Sequence, residues 1–162
     1  MRPLRDRRLV ELENLYRSRF GRFLRVAIAI VGNDELAREA VQEAFAQAIR
    51  DRGNFRGEGP LEAWVWRAVV NAARKERRAP PSLEIDDAAL PAPNGNEPTG
   101  SEVGALIALL PERQRLALFL RYYADLDYRS IAEALGIEVG TVSATLSSAH
   151  NSLRRALEEV PR

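Results

Sequence analysis

Residues 128–157 read YRSIAEALGIEVGTVSATLSSAHNSLRRAL. Ile131, Ala132 and Leu135 form one apolar stripe, and Gly136 stands where a helix C-cap wants a residue tolerant of positive φ. Val139, Val142, Leu146, Ala149, Leu153 and Leu157 recur in steps of three and four, which keeps them on one helical face. The stretch predicts a helix-turn-helix, whose second helix would lie in a DNA major groove. The same spacing fits an ordinary αα-hairpin in a helical core, because it says only that one face is buried.

Around this stretch, composition narrows the function. The 162 residues suffice for one domain or two small ones, and 46% apolar with 29% charged content is ordinary for a globular protein. Without Cys there are no disulfides and no thiolate metal sites. With His150 as the only His, neither a His metal cluster nor a Ser-His-Asp triad can be built. No GxxxxGK[ST] loop occurs. The basic start, MRPLRDRRLVELENLYRSRF, has no apolar signal core, and the longest apolar run, Val26 to Val31, is too short to span a bilayer. We therefore expect a cytoplasmic protein without membrane insertion, metal, cofactor or catalytic residues.

Charge is unevenly spread. Residues 1–78 hold 17 Arg/Lys against 11 Asp/Glu, a balance of +6. Residues 79–100 hold no Arg/Lys and 4 Asp/Glu, and residues 101–162 hold 7 against 8. The basic N-terminal part suggests an anionic partner there, and the helix-turn-helix part is not basic.

Leu9 to Val31 predicts one long helix, with Leu12, Leu15, Tyr16, Phe20, Phe23, Leu24 and Ala27 inward. Gly32-Asn33 breaks it, and Asn33 or Asp34 can cap a second helix from about Glu35 to Arg52. Residues 53–60, GNFRGEGP, form a loop. A third helix follows Pro60, from Leu61 to near Arg78, with Leu61, Val65, Ala68 and Ala72 inward. Arg67, Asn71, Arg74 and Arg78 line another of its faces, with Lys75 and Arg77 beside them and Trp64 and Trp66 flanking. Such a strip suits phosphate contact, base-edge hydrogen bonding and base stacking, and it equally fits a solvated face with one Trp in the core. Residues 79–100, with five Pro and four acids, predict an acidic linker. Ser101 would cap a short helix carrying Val103, Leu106, Ile107 and Leu110, and Pro111 would start a longer one to Ala124. The fold class is all-α: two small helical domains, 1–78 and 101–162, joined by the 79–100 linker.

LPERQRLALFLRYYADLDYRSIAEALGIEVGTV resembles the C-terminal domain, domain four, of a sigma-70 family factor of the extracytoplasmic-function group. DELAREAVQEAFAQAI resembles that family's polymerase-binding helix, and FRGEGPLEAWVWRAVVNAARKERR its minus-ten-engaging loop and helix. The motifs stand in the family's order over roughly residues 10–158.

The resemblance implies a bacterial transcription initiation factor, not itself an enzyme, that directs core RNA polymerase to promoters and promotes DNA opening. It implies that Gln42, Glu43 and Phe45 dock on the clamp helices of the largest subunit, although Phe45 also suits core packing. Asn54, Phe55 and Arg56 match the loop that captures a flipped base, whose unstacking costs a few kcal/mol. Trp64, Arg67, Asn71, Arg74, Lys75 and Arg78 fall on the minus-ten helix. Lys75 stands where the family often has Asp, which implies an altered preference. In domain four, VGTVSATLSSAHNSLRR replaces a pattern like VGTVKSRLHRARKRLR, so Ser143, Thr145, Ser148, His150, Asn151 and Ser152 fill commonly basic sites. The expected minus-thirty-five set is Arg129, Thr141, Ser143, Thr145, Ser148, Arg154 and Arg155. Each lost phosphate contact flattens the salt dependence of binding by about one log-log unit. Expected partners are promoter DNA, core polymerase with its second-largest-subunit flap, and an anti-sigma factor. The alternative is a sigma-like interaction protein whose domain four mainly docks polymerase, an anti-sigma factor or an activator.

Overall fold

The computed structural model describes residues 4–78 and 105–159. The expected linker at 79–100 and the Ser101 cap lie outside these residues. Among the described residues the chain is helical without strands.

α1 runs Leu4–Val31, five residues longer at its start than the apolar periodicity predicts. The added turns are polar, and an i,i+4 pair from Arg7 to Glu11 supports them. Gly32, at φ 82, ends α1, and Asn33 caps α2, Asp34–Arg50, by accepting from the Leu36 N–H at 3.0 Å. α2 stops short of Arg52, and a single 3₁₀ turn, Arg52–Asn54, follows. α3, Leu61–Arg78, has the predicted bounds, and the Ala63 N–H bonds the Pro60 carbonyl at its entry. α1, α2 and α3 all pack on one another.

Residues 105–108 make a helical turn before α4, Glu112–Tyr122. Pro111 takes the N-cap position rather than the first helical one. Asp127 then caps α5, Tyr128–Leu135, by accepting from the Ser130 N–H at 2.8 Å. The Ser130 side chain and N–H hold the Asp127 carboxyl below its usual value, and Arg129 and Arg121 add to this. Gly136, at φ 67, closes α5, with the Ile137 N–H reaching back to the Ala132 carbonyl at 3.0 Å. α6, Val139–Glu159, completes the helix-turn-helix. Its stripe holds at Val142, Leu146 and Ala149, which are buried, but Val139 and Leu157 at its ends are exposed.

The two helical groups share one apolar cluster. α5 lies on α3, and α4 touches α1. Helix α3 is therefore covered on two sides, which explains why Ala63, Val65, Trp66, Val69, Val70 and Ala73 are all buried, a wider set than one stripe.

Candidate nucleic-acid interface

The loop that joins the 3₁₀ turn to α3 is short and exposed except at Phe55. Its ring lies 5.5 Å from that of Trp64 on the first turn of α3. Phe55 and Trp64 are both half-buried, so the pair forms an aromatic step at the N-terminal end of the polar side of α3. Asn54 and Arg56 flank the step and are exposed. Arg67, Asn71 and Lys75 are exposed further along the helix, and Arg74 is half-buried. The backbone of Arg78 ends the helix, and its side chain lies outside what is described. Trp66 points the other way, fully buried, its ring centroid 4.3 Å from that of Phe23. Of the two tryptophans flanking the strip, only Trp64 is available to a base.

The same side of α3 meets the C-terminal group. Arg74 Nε lies 3.8 Å from Glu112 Oε1, and Arg77 pairs with the same carboxylate. Arg67 lines a groove with Arg129, Glu133 and Glu138 of the helix-turn-helix. Arg25 of α1 stacks over the Tyr123 ring at 5.7 Å. Acidic groups thus stand opposite Arg67, Arg74 and Arg77. Nothing in the sequence singles out Glu112, since an acid in a helix's first turn is commonplace.

On α2, Gln42 and Glu43 are exposed, and Glu43 pairs with Arg50 at 3.0 Å. Phe45 corrects the expectation of a docking side chain. It is 4% exposed, with its ring 5.0 Å from Tyr16 and 5.3 Å from Phe23, so it serves the core. On α6, Thr145 is a second correction. It is 9% exposed, and its hydroxyl donates to the Thr141 carbonyl at 2.6 Å. Ser143, Ser148, Arg154 and Arg155 are exposed, as is Arg129 on α5, and Thr141 is half-buried. His150 pairs with the Tyr122 hydroxyl at 2.9 Å, a contact that no local pattern announces.

The order of a three-helix group followed by a helix-turn-helix agrees with the comparisons to known proteins. The family model for sigma-70 region 2 matches residues 15–79, and that for region 4 matches residues 101–151. The ECF RNA polymerase sigma-E factor of Escherichia coli K12 is 30% identical over 145 residues, 76% of this chain and 75% of that protein. The chain belongs to the sigma-70 family, in its extracytoplasmic-function group. The RNA polymerase sigma-H factor of Pseudomonas aeruginosa is 29% identical over 160 residues, 87% of this chain and 83% of that one. The fold is shared with the sigma factor RpoE of Bartonella quintana, solved with the anti-sigma factor NepR, at a TM-score of 0.69 and 21% identity over 92% of this chain and 99% of that one. It is also shared with CnrH, solved with the cytosolic domain of CnrY, at a TM-score of 0.69 and 18% identity, covering 93% and 89%. The protein is a sigma-type transcription initiation factor, and the interaction-only reading is not favoured. No helix among the described residues is long and apolar enough to cross a membrane.

Proposed function

We propose that residues 1–78 bind core polymerase and open the minus-ten element, and that residues 101–162, tethered by 79–100, anchor the upstream duplex. The observation that carries this reading is the Phe55–Trp64 step beside the arginine side of α3. A flipped non-template base would stack against this step while Asn54, Arg56 and Asn71 offer polar contacts to its edge. Arg67, Arg74, Lys75 and Arg78 would hold the backbone of the unpaired strand. Exposed Gln42 and Glu43 would meet the clamp helices, with Phe45 shaping α2 from beneath. Arg129, Thr141, Ser143, Ser148, Arg154 and Arg155 would contact the minus-thirty-five duplex, with the polymerase flap held by the same domain. The polymerase supplies the chemistry, in the cytoplasm. An anti-sigma factor is a further partner, in keeping with the Bartonella sigma factor that was solved with one.

Transcription with purified core polymerase on genomic fragments tests the reading. We expect promoter-specific starts that depend on this chain; Phe55→Ala should lower them about five- to hundredfold, in line with loss of a stacking contact worth ~1–3 kcal/mol, and Asn71→Ala should lower them about fivefold through loss of a polar contact to the base edge. Specific starts that survive both substitutions would move the opening site away from α3.

A further inference from the structure

The base-capture loop has almost no apolar anchor of its own, yet the aromatic step needs a defined angle. Besides Trp64, whose ring lies 5.5 Å from that of Phe55, one side chain from α1 bears on it. Arg8, on the second turn of α1, donates from Nη1 to the carbonyl of Arg52 at 2.8 Å and to that of Phe55 at 2.6 Å. Its guanidinium carbon also lies 5.0 Å from the Phe55 ring centroid. The two carbonyls bracket the 3₁₀ turn, and Phe55 itself is the turn's C-cap. Elsewhere the loop is held by weaker means: the Asn54 N–H bonds the Asp51 carbonyl, and Gly57, at φ 75, lets the chain reverse. Residues 53, 54 and 56–60 are exposed and contribute no packing.

We propose that Arg8 is a positioning residue for base capture, acting through Phe55 and not on the nucleic acid. It lies outside the segment that matches sigma-70 region 2, residues 15–79. This role also accounts for the unexpected extension of α1 back to Leu4, since a helix starting at Leu9 would leave Arg8 without a fixed direction. Arginine suits the task for two reasons. Its planar fork donates to carbonyls while its face stays flat on a ring, and neither feature is shared by lysine. A Phe55 already oriented loses less freedom when a base arrives, so the stacking energy goes into discrimination. The neighbouring Arg7 points elsewhere, to Glu11 at 3.2 Å, and is a charge-matched control.

The proposal rests on the base-capture reading of Phe55, and the test separates the two. Holoenzyme is assembled with the parent chain, Arg8→Ala, Arg8→Lys, Arg7→Ala and Phe55→Ala. Binding is measured to a single-stranded minus-ten non-template oligonucleotide carrying each of the four bases at the captured position. For Arg8→Ala we expect about a tenfold loss for the preferred base and little change for the other three, since two charge-assisted hydrogen bonds are removed. Arg8→Lys keeps the charge and the same flattened preference, while Arg7→Ala keeps the parent profile. A uniform loss over all four bases, shared by Arg7→Ala, would make Arg8 a simple phosphate contact and overturn the proposal. A flattened profile for Phe55→Ala with an unchanged one for Arg8→Ala would also overturn it while leaving Phe55 in place. An unchanged profile for Phe55→Ala would remove the reading beneath both.

Discussion

Helix α3 carries Arg67, Lys75 and Arg77 exposed and Arg74 half-buried, whereas α6 exposes Ser143, Ala144, Ser147, Ser148 and Asn151 over its first turns and carries Arg154 and Arg155 beyond them. The apolar halves differ as well. α3 is clamped between α1 and α2 on one side and α5 on the other, while α6, among the described residues, packs mainly on α4 and α5. The helix-turn-helix keeps its turn, its Asp127 cap and its Gly136 closure, so its fold does not depend on the cations it lacks. Charge and rigidity therefore concentrate on the helix that would open DNA, and the helix that would grip the duplex is electrostatically bland. Sequence-independent grip comes chiefly from phosphate contacts, so a bland recognition helix contributes little of it. On the reading proposed above, more of the promoter-binding energy would fall on α3 than on α6.

The largest expected effect comes from breaking that rigidity. Trp66 is fully buried against Phe23 at the centre of α3. Trp66→Ala should destabilise the protein by about 3–5 kcal/mol, measured by denaturant unfolding, because a large side chain leaves a cavity that the three packed helices cannot close. Trp66→Phe should cost much less. The indole Nε1 has no hydrogen-bond partner among the described residues, so its loss removes an unsatisfied donor along with part of the ring. Equal losses in the two variants would mean that volume is not what anchors α3.

The contrast between the helices was half visible in the residues themselves. The charge imbalance and the missing basic sites of α6 are compositional, and composition survives folding unchanged. The stripe at Val142, Leu146 and Ala149 and the turn at Gly136 follow local periodicity and φ preference, which are short-range physics. Thr145 misled because a match to a commonly basic position does not say which way the side chain turns. Its hydroxyl found the carbonyl one turn back, as threonine in a helix often does. Phe45 misled in the opposite way, since an aromatic at helical spacing is core unless something holds it out. Glu112 and Arg8 were illegible for a different reason. Each acts across a long sequence separation, on Arg74 and Phe55, and no local pattern encodes such a meeting.

A substitution can shift the balance from the other end. Ser143 and Ser148 are both exposed on α6, where the family resemblance leads us to expect basic residues. Ser143→Lys with Ser148→Arg should raise affinity for a minus-thirty-five duplex roughly tenfold at low salt and steepen the log-log salt slope by about two units. Adding Thr145→Arg should bring no further gain and should destabilise the helix-turn-helix, because that side chain is turned inward. Titration of a labelled duplex at several salt concentrations reads both quantities. An unchanged slope would show that positions 143 and 148 do not face phosphate, and the contrast with α3 would then rest on geometry rather than charge.

The smallest expected effect tests whether the two helices oppose each other directly. Glu112 sits at the first turn of α4 and pairs with Arg74 and Arg77, while Glu133 and Glu138 share a groove with Arg67. In this arrangement the helix-turn-helix side of the protein supplies the anionic partner that the strand's phosphates would supply on a promoter. Glu112→Gln removes the charge and keeps the shape, so packing of α4 on α1 should persist. The free protein should then bind a single-stranded minus-ten oligonucleotide about two- to fivefold more tightly, the range expected for partly exposed ion pairs. The advantage should shrink as salt is added, because screening already loosens the parent's pairs. Holoenzyme should show little difference if polymerase has drawn the two helical groups apart. A weaker or equal affinity in the free protein would mean that Glu112 organises the arginines for DNA instead of competing with it, and α3 would owe its geometry to the very helical group that packs against it.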